Sequence, residues 1–384
     1  MLRRVLALSC CVVFVDTALY AALTPLLPHF AHEFHLTKRG AGFLVAAYAA
    51  GALVGGLPGG IAVARLGPRR AVLAGLAVMG AAGFGFAFAN GAEMLWAARF
   101  LQGAGSGLTW AGAFAWLVAA APRNRRGEVL GFALGVAVFG AVFGPVLGAI
   151  ASFAGRGPVF ASFAGLAVLL AVFALRVAPA PVEEPSFAAL GRAFRNRRFL
   201  GGMAAMTLPS LLFGALAVLA PLHLSAAGWG AGAIGAVWLA GAALEAVEAP
   251  LIGRLTDRRG SAFPLRIGLA ISAAAYIPLA FAGRPAAYVP LLLLALAATQ
   301  VLFAPGLPLI ANGADEAGLA QGVGFGMMNA AWAVGNVVGP AAAGAIAQAT
   351  SDRVPLLASA ALCAVALLAV RRRRSRAVVL DTGS

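Results

Sequence analysis

The sequence predicts an all-α membrane protein of twelve transmembrane helices in two pseudo-symmetric six-helix bundles. Three observations carry that expectation. Only 11% of the 384 residues are charged while 62% are hydrophobic, and mean hydropathy is +0.92. A soluble domain carries about 25% charged residues, so this chain has too few to cover a watery surface. The apolar residues run in long blocks rather than amphipathic stripes, and a bilayer-spanning helix needs roughly 20 of them. Markers in one half of the chain also recur in the other at a nearly constant spacing.

The blocks fall at 5–28, 40–64, 70–89, 92–120, 127–152, 157–177, 199–226, 230–253, 262–283, 286–311, 317–347 and 354–370. Charged or Gly/Pro-containing stretches separate them. The longest, 178–198, holds Pro179, Pro181 and Pro185, then Arg192, Arg195, Arg197 and Arg198. It divides an N-terminal bundle (1–177) from a C-terminal bundle (199–370), and a basic tail (371–384) follows. Arg3 and Arg4 before an apolar run resemble a signal peptide. Asp16 interrupts that run, however, and it continues to Leu27, which favours a retained first helix. Cys10, Cys11 and Cys363 all lie inside apolar blocks, so no disulfide framework is implied.

A net charge of +15 would suggest nucleic acid as the partner of a soluble protein. Here the basic residues sit between apolar blocks, and topology explains them better. With the N-terminus in the cytoplasm, 22 of the 28 basic residues fall in cytoplasmic segments. Only Lys38, Arg39, Arg156, Arg284 and Arg353 lie outside, and Arg99 lies within span 4. The excess of positive charge inside predicts a multi-pass protein of the cell membrane with both termini cytoplasmic. The arginines after Arg371 read as an anchor on the lipid surface.

Gly60, Arg65 and Gly67 after span 2 recur as Gly253, Arg258 and Gly260 after span 8, an offset of 193. Gly144-Pro145 in span 5 recurs as Gly339-Pro340 in span 11, offset 195. Pro28 after span 1 recurs as Pro221, offset 193. Parallel repeats of this kind place a binding site at their interface near the membrane midplane.

Polar residues in hydrocarbon are costly, so they should face protein or a watery cavity. Asp16, Tyr20 and Thr24 share one face of span 1, and Arg99, Gln102, Ser106 and Thr109 one face of span 4. Trp238, Glu245 and Glu248 align on span 8, and Asn329, Trp332 and Asn336 on span 11. Span 10 offers Gln300. Spans 3, 6 and 12 have almost nothing polar inside. The spacing assigns spans 1, 4, 8, 10 and 11 to a central cavity and 3, 6 and 12 to lipid. Tyr20, Gln102, Trp110, Trp238, Gln300, Asn329 and Trp332 are the candidate substrate contacts, although tryptophans so placed are more often packing than ligand contacts.

With these residues in place, the chain resembles the major facilitator superfamily over nearly its whole length, its drug/proton antiporter branch most closely. Gly253-Arg-Leu-Thr-Asp257-Arg258-Arg-Gly260 is a full copy of the superfamily's cytoplasmic-loop motif G-x-x-x-D-R-x-G. The copy after span 2, Gly60-Ile-Ala-Val-Ala64-Arg65-Leu-Gly67-Pro-Arg69-Arg70, has Ala64 at the acidic position. Arg99-Phe-Leu-Gln102-Gly103 matches R-x-x-Q-G, whose arginine is associated with proton coupling. Gly135, Gly140, Gly144, Pro145 and Gly148 resemble the span 5 motif of antiporters. Glycines at that spacing let helix backbones approach closely, and Pro145 removes a backbone hydrogen bond and can bend its helix. Such a helix suits a moving interface between halves.

The resemblance implies secondary active transport by alternating access, with proton-driven export of an amphipathic small molecule as its specific form. Asp16 lies ~16 Å along its helix from residue 5. With Arg99, Glu245 and Glu248 it forms the candidate proton-coupling set, a structural ion pair with Arg99 being the competing account of Asp16. Glu245 and Glu248 replace Ala52 and Gly55 of the other repeat, so structure alone does not demand acids there. Arg65, Arg69 and Arg70 carry no acid beside them, and Asp315 and Glu316 between spans 10 and 11 carry no base. Spans 2 and 11 should face each other, so these loops are expected to attract when the cytoplasmic side closes. Transport of a sugar or other metabolite is the alternative, but it would require more paired polar groups. An intramembrane enzyme or a receptor is a further one, against the absence of a Ser/His/Asp grouping and of a sizeable soluble domain. His29, His32, Glu33 and His35 read as interfacial residues rather than a metal site. Gly322-Val-Gly324-Phe-Gly326 lacks the βαβ context of a nucleotide fingerprint. The expected partners are therefore a small-molecule substrate, protons and membrane lipid, with no cofactor, and a monomer is the simplest working unit.

Overall fold

A computed structural model describes residues 1–122, 125–179, 187–319 and 321–381, with side chains except at 57–58, 61, 127, 187, 257, 307, 321–322, 325 and 372–381. The first half contributes α1 (Leu2–Glu33), α2 (Lys38–Leu66), α3 (Pro68–Ala87), α4 (Ala92–Ala120), α5 (Arg126–Ala154) and α6 (Arg156–Leu175). A short helix, α7 (Phe187–Ala193), precedes the second half. That half contributes α8 (Arg197–Ala226), α9 (Ala231–Arg259), α10 (Ala262–Phe281), α11 (Pro285–Val301), α12 (Gly306–Glu316), α13 (Gln321–Ala349) and α14 (Arg353–Asp381). Ten of the described helices are long and apolar enough to cross a membrane. The more polar α4 and the broken pair α11–α12 complete the twelve crossings. Helix suits lipid, because it lets each span satisfy its own backbone polar groups.

The ends of these helices follow from local chemistry. Thr37 caps α2 by accepting from Gly40 N (3.2 Å), and Asn196 caps α8 by accepting from Arg198 N (2.8 Å) and Phe199 N (3.1 Å). Gly67 and Gly260 end α2 and α9 at φ +84° and +74°, a left-handed conformation that glycine adopts without a side-chain clash. The two halves thus turn at the same place, 193 residues apart. α2 and α9 are both 29 residues long, as are α5 and α13.

Span 10 departs from expectation. The apolar pattern predicts a single helix over 286–311, but α11 stops at Val301 and α12 starts at Gly306. Pro305 lacks an N–H and disfavours helix in the residue before it, which accounts for the break. Its counterpart at offset 193 is Gly112, inside the continuous α4. α12 then runs on to Glu316, so Asp315 and Glu316 close a helix rather than occupying a loop. α1 likewise runs past residue 28 and carries His29, His32 and Glu33 on its last turns.

The span 5 glycines also serve a different contact. A side chain at Gly140 would strike Thr17 and Phe14, one at Gly144 would strike Ala21 and meet Ala18 O at 2.7 Å, and one at Gly148 would strike Ala22 and meet Pro25 at 2.5 Å. All of these lie on α1, in the same half. Gly339 packs on Leu211 of α8 in the equivalent way, within the second half. The small-residue stripe therefore welds each half internally. The prolines beside the stripe, Pro145 and Pro340, present their carbonyls to the surface between halves.

Candidate functional site

Two faces of the molecule need names. The near face is where α1 begins and α14 ends; the far face is where α1 ends and α2 begins. At the far face the halves are closed together. Lys38 Nζ pairs with Asp352 Oδ1 at 2.5 Å, and Lys38 N donates to Gln348 Oε1 at 3.0 Å. A side chain at Gly42 of α2 would strike Pro340 O and approach Gly344 Cα of α13 at 3.3 Å. On the other flank, a side chain at Gly235 of α9 would lie 3.1 Å from Pro145 O of α5.

Toward the near face the halves part. Gly60 stands eighteen residues beyond Gly42 on α2, and Gly253 stands eighteen beyond Gly235 on α9. Eighteen residues are about five helical turns, so each pair shares one helix face. Gly42 and Gly235 touch the opposite half, whereas among the described residues no atom beyond their own helix backbone lies within 4 Å of where a side chain at Gly60 or Gly253 would stand. Among the described residues, each seam therefore opens as it runs from far face to near face.

Between these ends lies the polar centre of the first half. Asp16 of α1 is 1% exposed. Its Oδ2 accepts from Ser106 Oγ (2.6 Å) and Trp110 Nε1 (2.6 Å) of α4. The Tyr48 hydroxyl of α2 lies 2.9 Å from both carboxylate oxygens and 2.8 Å from Ser106 Oγ. Arg99, 2% exposed, makes no ion pair with Asp16. Its Nη1 donates to Leu19 O (3.3 Å) and Gln102 Oε1 (2.8 Å), and its Nη2 donates to Tyr20 O (2.7 Å). The guanidinium stacks 4.9 Å from the Tyr48 ring centre. Tyr48 thus touches both charges, and the direct pair offered by the competing account is not formed. The geometry depends on close backbones: a side chain at Gly103 would strike Tyr48 O, and one at Gly51 would strike Phe100 O.

Tyr48 is the residue that sequence reasoning missed. It stands among apolar neighbours on span 2, which was given no polar face. A buried tyrosine usually finds a hydrogen-bond partner, and that was the available signal.

Across the seam, Tyr20 Oη donates to Asn336 Oδ1 of α13 at 3.1 Å. Trp332 sets its edge on the rings of Tyr20 and Tyr48, at centroid distances of 5.4 and 6.5 Å. Trp110 stacks on Phe114. Asn329 lies half-buried about two turns nearer the near face than Asn336. In the second half, Glu245 lies beside the Gln300 side chain and Glu248 beside Glu245. Glu248 Oε1, Gln300 Oε1 and Trp238 Nε1 are buried without a hydrogen-bond partner. Neither glutamate has an ion-pair partner among the described residues.

The near-face charges are less gathered. Arg65, Arg70 and Arg258 are exposed and Arg69 is half-buried. Glu316 is held within its own half, pairing with Arg198 and accepting from Asn196 Nδ2 at 2.7 Å. Arg192 of α7 donates to Ala317 O at 3.1 Å and ties the linker to the end of α12. The Asp257 side chain lies outside the described residues. At the far face, His29 lies 3.4 Å from Glu33, which pairs with Arg156 at 3.1 Å.

Two six-helix bundles, sealed at one face and parted at the other around a buried acid and base, define a membrane transporter with an alternating-access fold. The chain belongs to the Major Facilitator Superfamily, whose family description matches residues 9–325. It is thus a multi-pass transporter of small molecules that works as a single chain, and not an enzyme. No curated protein sequence matches it. Among solved structures it is similar to a bacterial homologue of the human lysosomal transporter Spinster. The inward-facing occupied form has TM-score 0.78 and 15% identity, covering 97% of this chain and 96% of that one. The inward-facing unoccupied form has TM-score 0.77 and 15% identity, covering 96% of each. It is also similar to the xylose transporter XylE from E. coli in a partially occluded inward-open form, TM-score 0.73 and 15% identity, covering 95% and 96%. At that identity these likenesses speak for the fold alone.

Proposed function

We propose that the protein is a proton-coupled exporter of amphipathic small molecules in the cell inner membrane, with both termini cytoplasmic. The observation that supports this most is Asp16, a carboxylate enclosed by three hydrogen-bond donors and near an arginine with which it forms no ion pair. Charge in hydrocarbon is costly, and a group kept there despite that cost is a functional candidate by default. On this orientation the near face is the cytoplasmic side and the structure is the inward-open state. Glu245 and Glu248 of α9 then serve the space that widens toward the cytoplasm, with Gln300 beside Glu245 and Trp238 about two turns back on the same helix face. Their sparse polarity beside aromatic rings suits an amphipathic substrate better than a sugar, whose hydroxyls each need a partner. Arg65, Arg69 and Arg70 on one half, and Asp315 and Glu316 on the other, form the cytoplasmic lock of the alternate state.

Each proton moving inward down a 100 mV potential releases ~2.3 kcal/mol. That sustains about 1.7 decades of substrate gradient at ~1.4 kcal/mol per decade. The test is transport of a panel of lipophilic dyes into inverted membrane vesicles energised by a pH gradient. Uptake that collapses with a protonophore supports the reading. Uptake indifferent to the pH gradient, or restricted to sugars, contradicts it.

A further inference from the structure

We propose that Tyr48 and Ser106 form a reversible hydroxyl ring on Asp16, which lets this buried carboxylate gain and lose a proton without losing a hydrogen bond. The inference rests on the proton-coupling role given to Asp16 above. In the ionised state three donors serve the carboxylate. Tyr48 Oη donates to Oδ1 (2.9 Å), while Ser106 Oγ and Trp110 Nε1 each donate to Oδ2 (2.6 Å). When a proton from water is left on Oδ1, that oxygen becomes a donor and needs an acceptor. Tyr48 Oη is already 2.9 Å away, and its own hydrogen can turn to Ser106 Oγ at 2.8 Å. Ser106 keeps its bond to Oδ2, closing the ring from Asp16 to Tyr48 to Ser106 and back.

Trp110 is a donor only, so it serves Oδ2 in both states and takes no part in the reversal. The change needs one hydroxyl to rotate and no heavy atom to move. Of the three side chains that serve Asp16, only the two hydroxyls both donate and accept, which is why phenylalanine or alanine could not replace them. The charged or titratable groups facing Asp16 are Tyr48 from α2 and Arg99 from α4, and the other helices packed on α1 present none among the described residues. The Tyr48 ring also meets the edge of Trp332 across the seam. The hydroxyl that turns is therefore carried by a residue that contacts both halves.

The test uses the full-length protein in liposomes, with the proton itself as probe. The infrared band of protonated carboxyl groups is followed against pH in a Glu245→Gln, Glu248→Gln background. Asp16→Asn is expected to remove one titrating band. Tyr48→Phe keeps the aromatic ring and removes only the hydroxyl, and it is expected to move that band's midpoint by roughly one pH unit, because the bond lost to the ionised form is charge-assisted and the bond lost to the protonated form is neutral. Ser106→Ala is expected to do the same, and it decides the matter if Tyr48→Phe fails to assemble. A wild-type midpoint in the folded variants overturns the ring while leaving Asp16 as the proton carrier. If Asp16→Asn removes no band, the proton-coupling reading fails and the ring fails with it.

Discussion

Asp16 and Glu245 are both acids on membrane-spanning helices, and the chain treats them in opposite ways. Asp16 is sealed in a cage of Tyr48, Ser106 and Trp110 in which both of its oxygens have donors. Glu245 has the Gln300 side chain beside it and a second acid, Glu248, next along the helix, while oxygens of Gln300 and Glu248 stay unpartnered. The first half therefore supplies a complete environment for one charge, and the second leaves acceptors to spare. A buried group with no partner loses its hydration without compensation. On the proposed function, the first half holds the proton and the second half awaits the substrate.

The largest effect expected is at the saturated site. Asp16→Asn should reduce pH-driven flux to background while the protein still inserts and purifies as a single species. Wild-type flux from that variant would remove Asp16 from coupling. Next comes the packing that builds the cage. Gly103→Val would drive a side chain into the Tyr48 backbone, and overpacking of this kind costs about 1–3 kcal/mol. Its melting temperature in detergent should fall clearly, whereas Gly253→Val, at a position with open space, should leave it near wild type.

A smaller and selective effect is expected in the second half. Glu245→Gln should weaken export of cationic dyes by about tenfold, the loss of roughly one charge-assisted hydrogen bond, and spare neutral ones. Equal loss for both classes would make Glu245 part of coupling or folding and erase the contrast with Asp16. The smallest effect belongs to the near-face charges, since exposed ion pairs are worth ~0–1 kcal/mol each. Replacing Asp315 and Glu316 with lysine should increase cysteine accessibility from the cytoplasmic side a few-fold and slow transport. Arg69→Glu and Arg70→Glu in the same chain should partly restore both. The Glu316 substitution also removes the Arg198 pair, so Arg198→Ala alone is the control for a purely local disturbance.

Much of the fold was legible because a bilayer leaves few solutions: apolar block length, charge between blocks and the 193-residue repeat each have one simple reading. The break in span 10 was not, because Pro305 sits in an apolar run that a hydropathy pattern treats as continuous. Asp16, Arg99, Gln102, Ser106 and Trp110 were all singled out, and the structure brings them together. Helical spacing could not say that Arg99 would turn to the carbonyls of Leu19 and Tyr20 rather than to Asp16. Nor could it reveal Tyr48, because a single tyrosine on an otherwise apolar helix makes no periodic signal. The glycine stripe of span 5 was visible, but whether it met its own half or the other depends on helix rotation, which spacing leaves free. Gly42 and Gly344, which do form the seam between halves, belong to no motif.

The central claim is that a proton on Asp16 drives export. It is tested most directly by the steady-state accumulation of a fluorescent lipophilic amine in cells expressing either the wild type or Asp16→Asn, with and without a protonophore. The account predicts low accumulation only in wild-type cells without protonophore, and equal high accumulation in the other three conditions. Low accumulation that persists in the Asp16→Asn cells, or in wild-type cells treated with protonophore, would contradict it.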